Sequence, residues 1–307
     1  MKFVTYQGDD GPRSGIVDGE AVYDLSALHR RLLRSEEKGA GEPIPPDLLA
    51  FIERGSLALA RRLLTLARSL RGGARRSVVR PLAEVRLLAP IPRPRKNLFC
   101  TGHNYAKHVA ESGRPIPEHP VWFTKPPTAV IGPLAPVLHH QATRALDYEV
   151  ELAVVIGRRG RDIPQARALE YVFGYTVMND VTARDVQRQR GGQWFKGKAM
   201  DTFAPLGPWI VHRSAIPDPQ RLTVRSRVNG RLRQESSTAD MIFPVAALIA
   251  DLSRGITLEP GDIIATGTPA GVGMGMTPQT WLQPGDLVEV EVDAIGTLSN
   301  LIVAPRG

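Results

Sequence analysis

The chain has 307 residues, enough for one large domain with a smaller companion or for two domains of ordinary size. A single cysteine, Cys100, excludes an intrachain disulfide and a zinc site built from several thiolates. The net charge of +8 suits an anionic partner, but the arginines are scattered and are not interleaved with aromatics. This pattern favours a solvated basic surface over nucleic-acid binding.

The first ten residues predict neither export nor a membrane anchor. They lack an apolar core and turn acidic at Asp9 and Asp10, unlike a signal peptide. No apolar window in the sequence is long enough to span a bilayer. We therefore expect a cytoplasmic protein with no membrane or nucleic-acid partner.

The N-terminal third predicts a small α+β domain. Residues 2–25 alternate β-formers with turn residues, and a helical stretch is expected from about Asp47 to Leu70. Three prolines at alternate positions between Ala89 and Arg95 predict an extended connector. We place a domain boundary there, with an accessory domain at 1–90 and a catalytic domain at 91–307.

The larger part predicts a β-rich fold. Asn229-Gly230 is typical of a hairpin turn, and the alternation in Leu287–Val292 indicates a strand buried on one face. Pro260-Gly261-Asp262 and Pro284-Gly285-Asp286 each precede a strand, while Ala246 to Leu252 predicts a short helix. Strands and helices do not alternate regularly, so an α+β fold, mainly β, is expected in place of a doubly wound sheet.

Two glutamates carry the strongest chemical signal. In Asp147-Tyr148-Glu149-Val150-Glu151, residues two apart share one face of a strand, which brings two carboxylates together among apolar neighbours. A divalent cation would relieve their repulsion, and an all-oxygen site suits Mg²⁺, Mn²⁺ or Ca²⁺ better than zinc. From this segment alone, an amphipathic edge strand with both glutamates in water is equally acceptable.

A second polar segment follows an apolar strand. Asp180 ends that strand and is a candidate ligand, and a helix starting near Thr182 would put Arg184 and Gln187 on one face. The alternative makes Asp180 or Thr182 a helix N-cap and Arg184 a solvated charge.

Three further segments offer reactive groups. His108 and Glu111 are three residues apart, so on a helix the carboxylate can orient an imidazole base, although a surface ion pair has the same spacing. Lys196 or Lys198 could stabilise an oxyanion or serve as a loop cation. In the glycine-rich stretch 263–273, a threonine could bind a carboxylate, and no P-loop motif is present.

Together and in this order, these segments resemble the fumarylacetoacetate hydrolase superfamily over about residues 97 to 303. The similar motifs are GHNYAKHVAE, LDYEVELAVVIG, NDVTARDVQ, GKAMDTFAPLGPW, VNGRLRQ and GDIIATGTPAGVG. Within the superfamily, the chain most resembles the branch of fumarylacetoacetate hydrolase domain-containing proteins and homoprotocatechuate-pathway isomerase/decarboxylases. His103 departs from acylpyruvase-type members, which often carry arginine there.

The resemblance implies a mixed β-roll, a homodimer and a metal, Mg²⁺ or else Mn²⁺ or Ca²⁺. The implied metal ligands are Glu149, Glu151 and Asp180. The implied catalytic residues are His108 and Glu111, on a lid segment, and Lys198 in preference to Lys196. The implied substrate-binding residues are Tyr105, Arg184, Gln187 and Thr268.

The function expected from this site is hydrolysis of a carbon–carbon bond in a 2,4-dioxo acid of the acylpyruvate or fumarylpyruvate type. The alternative is an isomerase, tautomerase or decarboxylase that acts through an enolate on a 2-oxo dicarboxylic acid such as oxaloacetate or a hydroxymuconate. A third hypothesis is a protein that binds metal or nucleic acid without catalysis. A binder has no need of the His108–Glu111 pair, which counts against this third hypothesis.

Overall fold

The computed structural model describes residues 1–35, 44–190 and 192–305. The strands in chain order are β1 (Lys2–Gly8), β2 (Gly11–Asp18), β3 (Ala21–Asp24), β4 (Val79–Pro81), β5 (Leu87–Leu88), β6 (Leu98–Gly102), β7 (Val121–Lys125), β8 (Val130–Ile131), β9 (Val137–Leu138), β10 (Leu146–Asp147), β11 (Val150–Ile156), β12 (Val172–Asn179), β13 (Thr182–Ala183), β14 (Ala204–His212), β15 (Thr223–Val228), β16 (Arg231–Ser237), β17 (Ile263–Ala265), β18 (Leu287–Val292) and β19 (Gly296–Val303).

In the described part of the chain, the α-helices are fewer than the strands. In chain order they are α1 (Leu25–Ser35), α2 (Leu48–Arg54), α3 (Leu57–Ser69), α4 (Gly72–Arg76), α5 (Ala106–Glu111), α6 (Arg184–Gln189), α7 (Phe195–Lys198) and α8 (Val245–Leu252). Within the described ranges, no helix is both long enough and apolar enough to cross a membrane. The expected α+β fold, mainly β, is confirmed.

A large mixed sheet forms the centre of the molecule. Its main path runs β4-β3-β2-β1-β14-β12-β11-β17-β6-β7, and a second sheet runs β16-β15-β18-β19-β9. Along β11, Leu152 and Val154 pack in one hydrophobic cluster with residues of the second sheet, while Ala153 and Val155 pack in another with helices α1 to α3. Because both faces of β11 are covered, its sequence is almost continuously apolar.

The N-terminal strands belong to the same sheet as the catalytic part of the chain. β1 pairs antiparallel with β14, with Phe3 opposite Ile210. The Thr5 hydroxyl also donates to the carbonyl oxygen of Pro90 in the proline-rich connector. The division at residues 90 and 91 stays a prediction, and any separation there would have to break the β1–β14 ladder.

Of the predicted local elements, the hairpin turn agrees with its prediction and one helix does not. Asn229 and Gly230 both have positive φ between β15 and β16, as the predicted hairpin turn requires. The stretch predicted as one helix from Asp47 to Leu70 is two helices, α2 and α3. Asp47 caps the first, and Ser56 starts the second by accepting a hydrogen bond from the Leu59 amide. A serine cap in mid-sequence is therefore the physical reason for the break.

Candidate metal centre and catalytic cavity

Three carboxylates converge where β11 and β12 pair. Glu149 immediately precedes β11, Glu151 lies within it and Asp180 follows β12. The ladder continues past the strand ends, since the Asp180 amide donates to the Glu149 carbonyl oxygen at 2.9 Å. One oxygen from each of the three side chains lies within 4.8 Å of the others.

Burial separates this cluster from the alternatives that the sequence allowed. β11 is a central strand between β12 and β17, and Glu151 is only 1% exposed, so the solvated edge strand is wrong. α6 begins at Arg184 with no side-chain cap, and Asp180 is fully buried, so the N-cap interpretation is wrong as well. Arg184, 4% exposed, is not a solvated charge.

Two of the buried cations that are paired with these acids also line the cavity. Lys198 Nζ lies 2.7 Å from Glu149 Oε2 and 2.6 Å from Asp180 Oδ2, so one ammonium bridges two carboxylates. Arg184 contacts Glu149 Oε1 at 2.6 Å and donates to Asp147 Oδ2 at 2.8 Å. Lys196, the other candidate lysine, is exposed.

The charges act differently on the two glutamates. Burial favours the protonated form of Glu149, but Lys198 and Arg184 outweigh burial and hold the pKa of Glu149 below its usual range. Burial, then Asp180 and Glu149, raise the pKa of Glu151 well above its usual range. Glu151 accepts a hydrogen bond from the Gly267 amide at 2.8 Å but lies beside two acids. Its carboxylate is therefore the least compensated of the three.

The donor set fits a divalent cation. Three buried carboxylates supply only hard oxygen ligands, the type that Mg²⁺ and Mn²⁺ prefer. Burial and the neighbouring Asp180 and Glu149 raise the pKa of Glu151 despite the nearby Lys198, which is consistent with an excess of negative charge in the cluster. A divalent ion held by Glu149, Glu151 and Asp180 would supply the missing positive charge.

A histidine–glutamate pair stands next to the acids. His108 and Glu111 lie on α5, with His108 Nδ1 3.2 Å from Glu111 Oε2. Glu111 Oε1 also accepts from the Gly271 amide, which fastens α5 to the glycine-rich segment after β17. His108 is 6% exposed, so this is not a surface pair. With Nδ1 occupied by Glu111, Nε2 is the ring nitrogen left for proton transfer.

Most of the predicted site residues border one cavity of about 550 Å³, including its open mouth. Those that line it are His108, Glu149, Glu151, Arg184, Gln187, Lys198 and Thr268. Asp180 and Glu111 lie behind this lining, in contact with Lys198 and His108. Tyr105 is placed apart: its ring packs in the hydrophobic core, and it borders a neighbouring cavity with Ser236 and Asp240.

Hydrogen bonds limit what two of the predicted substrate contacts can do. The Thr268 hydroxyl donates its one proton to the Val150 carbonyl oxygen and accepts from Gln234 Nε2. In this arrangement Thr268 cannot also donate to a substrate carboxylate. Gln187 Oε1 accepts a hydrogen bond from Arg184 at 3.3 Å, which leaves the side-chain nitrogen Nε2 of Gln187 for a ligand.

The sequence reasoning missed Asp147 and Lys125. Asp147 accepts hydrogen bonds from Arg184 and from the amides of Gly273 and Met274. Its position two residues before Glu149 was a usable signal, because side chains two apart in an extended segment point to the same side. Lys125, at the end of β7, is fully buried against Asp180, and nothing in its local sequence marks it as buried.

The mouth of the cavity is basic and aromatic. Arg114 and Arg188 line it, and within the described ranges neither forms an ion pair with an acid. Trp194 stacks edge-on against His103 at 5.1 Å and against Phe123 at 5.6 Å. Burial, and then His108, lower the pKa of His103 to about 4, so His103 is neutral at pH 7.

Fold and site together define a β-rich protein with a buried carboxylate cluster suited to a divalent cation, beside a His–Glu pair in a cationic cavity. The family model described as fumarylacetoacetate (FAA) hydrolase C-terminal matches residues 97–303. The chain belongs to this family of enzymes, as its motifs indicated.

Similar proteins carry two kinds of activity in their names. Oxaloacetate tautomerase YisK of Bacillus subtilis is 48% identical over 292 residues, covering 94% of each chain. The mitochondrial oxaloacetate tautomerase fahd2 of Xenopus laevis is 39% identical, covering 99% of this chain and 90% of its own. Maleylpyruvate hydrolase from Sphingobium sp. SYK-6, solved with manganese(II) and pyruvate, is 30% identical with a TM-score of 0.77, covering 100% of both chains.

Proposed function

We propose that the protein is a divalent-metal-dependent tautomerase of a 2-oxo dicarboxylic acid of the oxaloacetate type. This was the alternative to carbon–carbon hydrolysis in the sequence reasoning, and the similarity to two oxaloacetate tautomerases supports it better than the hydrolase. The observation that carries the proposal is the convergence of Glu149, Glu151 and Asp180 beside His108 in one cavity.

The metal site has a defined part in this proposal. Glu149, Glu151 and Asp180 would hold Mg²⁺ or Mn²⁺. When bound, the ion supplies Lewis-acid polarisation of a 2-oxo-carboxylate. The similarity to a hydrolase solved with manganese(II) and pyruvate supports such an ion.

The protein's own residues supply the proton transfer. Keto–enol conversion moves one proton from the carbon next to the 2-oxo group and adds one at the 2-oxo oxygen, with no other bond broken. His108 Nε2 is the proposed proton acceptor, because Glu111 occupies Nδ1 and holds the imidazole orientation. Lys198 and Arg184 then stabilise the negative charge that develops on the oxygen.

The cavity mouth matches a second carboxylate. Arg114 and Arg188 line the cavity and are exposed, so they supply positive charge on its solvent side, where we place the distal carboxylate of a dicarboxylate substrate. Phe123 and Trp194 add apolar surface that limits water. The four cationic side chains of the lining, with a divalent ion on the acids, would therefore attract a dianion.

The test is an ultraviolet assay of oxaloacetate enol and keto forms with Mg²⁺ or Mn²⁺ and with EDTA. We expect metal-dependent interconversion without loss of carbon dioxide or release of an acyl acid. Interconversion at the uncatalysed rate, with folded and metal-loaded protein, would reject the proposal.

Hydrolysis of a 2,4-dioxo acid is the second candidate, favoured by the similarity to maleylpyruvate hydrolase. In hydrolysis, His108 would take a proton from a water molecule, whereas in tautomerisation it takes a proton from a carbon of the substrate. Release of pyruvate and a second acid from acylpyruvates or maleylpyruvate, faster than tautomerisation of oxaloacetate, would establish it in place of the tautomerase.

A further inference from the structure

Lys125 is a buried charge that the proposed chemistry does not use. It ends β7 and is fully inaccessible to solvent. Its Nζ lies 2.6 Å from Asp180 Oδ1 and donates to the carbonyl oxygens of Val181 at 2.9 Å, Lys198 at 2.5 Å and Phe203 at 2.7 Å. One ammonium thus joins three separate segments that surround the acidic cluster.

Burial of an ammonium is unfavourable unless its contacts compensate. Burial lowers the pKa of Lys125, and the neighbouring Asp180 carboxylate acts in the opposite direction. Three carbonyl oxygens accept the three protons of this ammonium, and the Asp180 carboxylate lies against it as an ion-pair partner. Such a fully satisfied polar group specifies one arrangement of the segments it joins.

The two oxygens of Asp180 are held by different lysines. Lys198 contacts Oδ2 and lines the cavity, whereas Lys125 contacts Oδ1 and does not line it. Lys125 therefore contacts the Asp180 oxygen that Lys198 does not contact, and it does so without lining the cavity. It also binds the main chain at Lys198, so the same contact sets the position of the catalytic lysine candidate.

We propose that Lys125 is a positioning residue of the metal centre, which fixes the orientation of Asp180 and couples it to the segment carrying Lys198. The inference rests on the proposed function in one respect, that the three carboxylates hold a divalent ion. It does not depend on which 2-oxo acid is the substrate.

Lys96 offers a matched control. Its Nζ also contacts a buried aspartate, Asp262 at 2.8 Å, and a carbonyl oxygen, that of Thr257 at 3.0 Å. It does not line the catalytic cavity. Lys96→Met therefore makes the same chemical change as Lys125→Met, away from the acidic cluster.

The experiment measures Mn²⁺ binding to the full-length protein by electron paramagnetic resonance, for wild type, Lys125→Met, Lys125→Gln and Lys96→Met. Lys125→Met should weaken Mn²⁺ binding about 10–100-fold, the usual effect of losing a partner behind a metal ligand. It should also change the spectrum of the bound ion, because Asp180 loses its fixed orientation. Lys96→Met should alter neither the affinity nor the spectrum.

A Lys125→Met protein with wild-type affinity and spectrum would overturn the inference. If that variant does not fold, Lys125→Gln decides the question, since its amide can still donate to the carbonyl oxygens but carries no charge. Wild-type affinity in Lys125→Gln is then the contradicting result. Wild-type protein that binds Mn²⁺ but does not tautomerise oxaloacetate would defeat the proposed function alone, whereas a failure to bind Mn²⁺ would defeat both.

Discussion

The chain contains the tripeptide Glu-Val-Glu in two strands, with opposite outcomes. Glu149-Val150-Glu151 enters β11, whose neighbours on both sides and both faces bury it. Glu289-Val290-Glu291 lies in β18, where the valine is buried and both glutamates are partly exposed. Glu291 approaches Arg225 only at 3.9 Å, with solvent nearby.

The difference lies in position within the fold and not in the local sequence. Water screens the second pair, so its repulsion is weak and needs no counter-charge. The first pair is only 4% and 1% exposed, so solvent screens it little, and its repulsion is offset by Lys198, Arg184 and the divalent ion proposed above. Buried repeated charge therefore identifies a candidate metal site here, whereas the same pattern on an open sheet face does not.

The largest expected effect is the loss of metal binding when a charge is removed from the buried Glu-Val-Glu tripeptide, compared with the same change in the exposed one. Glu149→Gln keeps the shape of the side chain but removes one carboxylate charge from the cluster. We expect Mn²⁺ affinity to fall by more than about 100-fold, beyond the effect of losing an outer partner, together with activity. Calorimetric titration measures the affinity. Glu289→Gln is the control and should match wild type, and equal behaviour of the two variants would contradict the comparison.

The next effect separates proton transfer from metal binding. His108→Ala should slow turnover by about 10²–10⁴-fold, the range of general acid–base catalysis, and leave Mn²⁺ affinity unchanged. Steady-state rates at saturating metal measure this. His119→Ala, an exposed histidine beyond α5, serves as the control. A His108→Ala enzyme as fast as wild type would remove His108 from the proposed mechanism.

A packing change sharpens the contrast between buried and open positions. A Cβ added at Gly197 would lie 2.6 Å from the backbone nitrogen of Gln187, so α7 and α6 would have to separate. Gly197→Ala should cost about 1–3 kcal/mol of unfolding free energy and displace Lys198. Urea unfolding gives the value. Gly192→Ala, where a Cβ meets open space, should have no such cost, and equal stability of the two would refute the packing argument.

The smallest effect concerns a solvated cation. Arg188 lines the cavity mouth but is exposed, so its attraction for a substrate is partly screened. Arg188→Ala should raise KM for oxaloacetate about tenfold, equivalent to about 1.4 kcal/mol, and leave kcat nearly unchanged. The rise should shrink in high salt. An unchanged KM, or the same rise in Arg190→Ala, would exclude a specific carboxylate contact.

The features that the sequence predicted well have local causes. Asn229-Gly230 needs positive φ, Asp47 caps a helix, and the alternation in β18 reflects one open face. The carboxylate cluster was also accessible, because strand periodicity aligns Glu149 and Glu151 and motif order adds Asp180. These signals lie within a few residues of the feature they predict.

The features that were missed depend on contacts distant in sequence. Lys125 meets Asp180 across 55 positions only because β7 and the end of β12 come together in the fold. Tyr105, expected among the substrate contacts, immediately precedes α5, packs in the core and borders a different cavity. Thr268 lines the cavity as expected, but Gln234 and Val150 already engage its hydroxyl. Local pattern does not contain that information.

The account depends most on a divalent ion among three carboxylates, and anomalous diffraction from crystals soaked in Mn²⁺ tests it most directly. We predict an anomalous peak at about 2.0–2.6 Å from oxygens of Glu149, Glu151 and Asp180. A peak elsewhere, or none at a Mn²⁺ concentration that saturates turnover, would contradict the account.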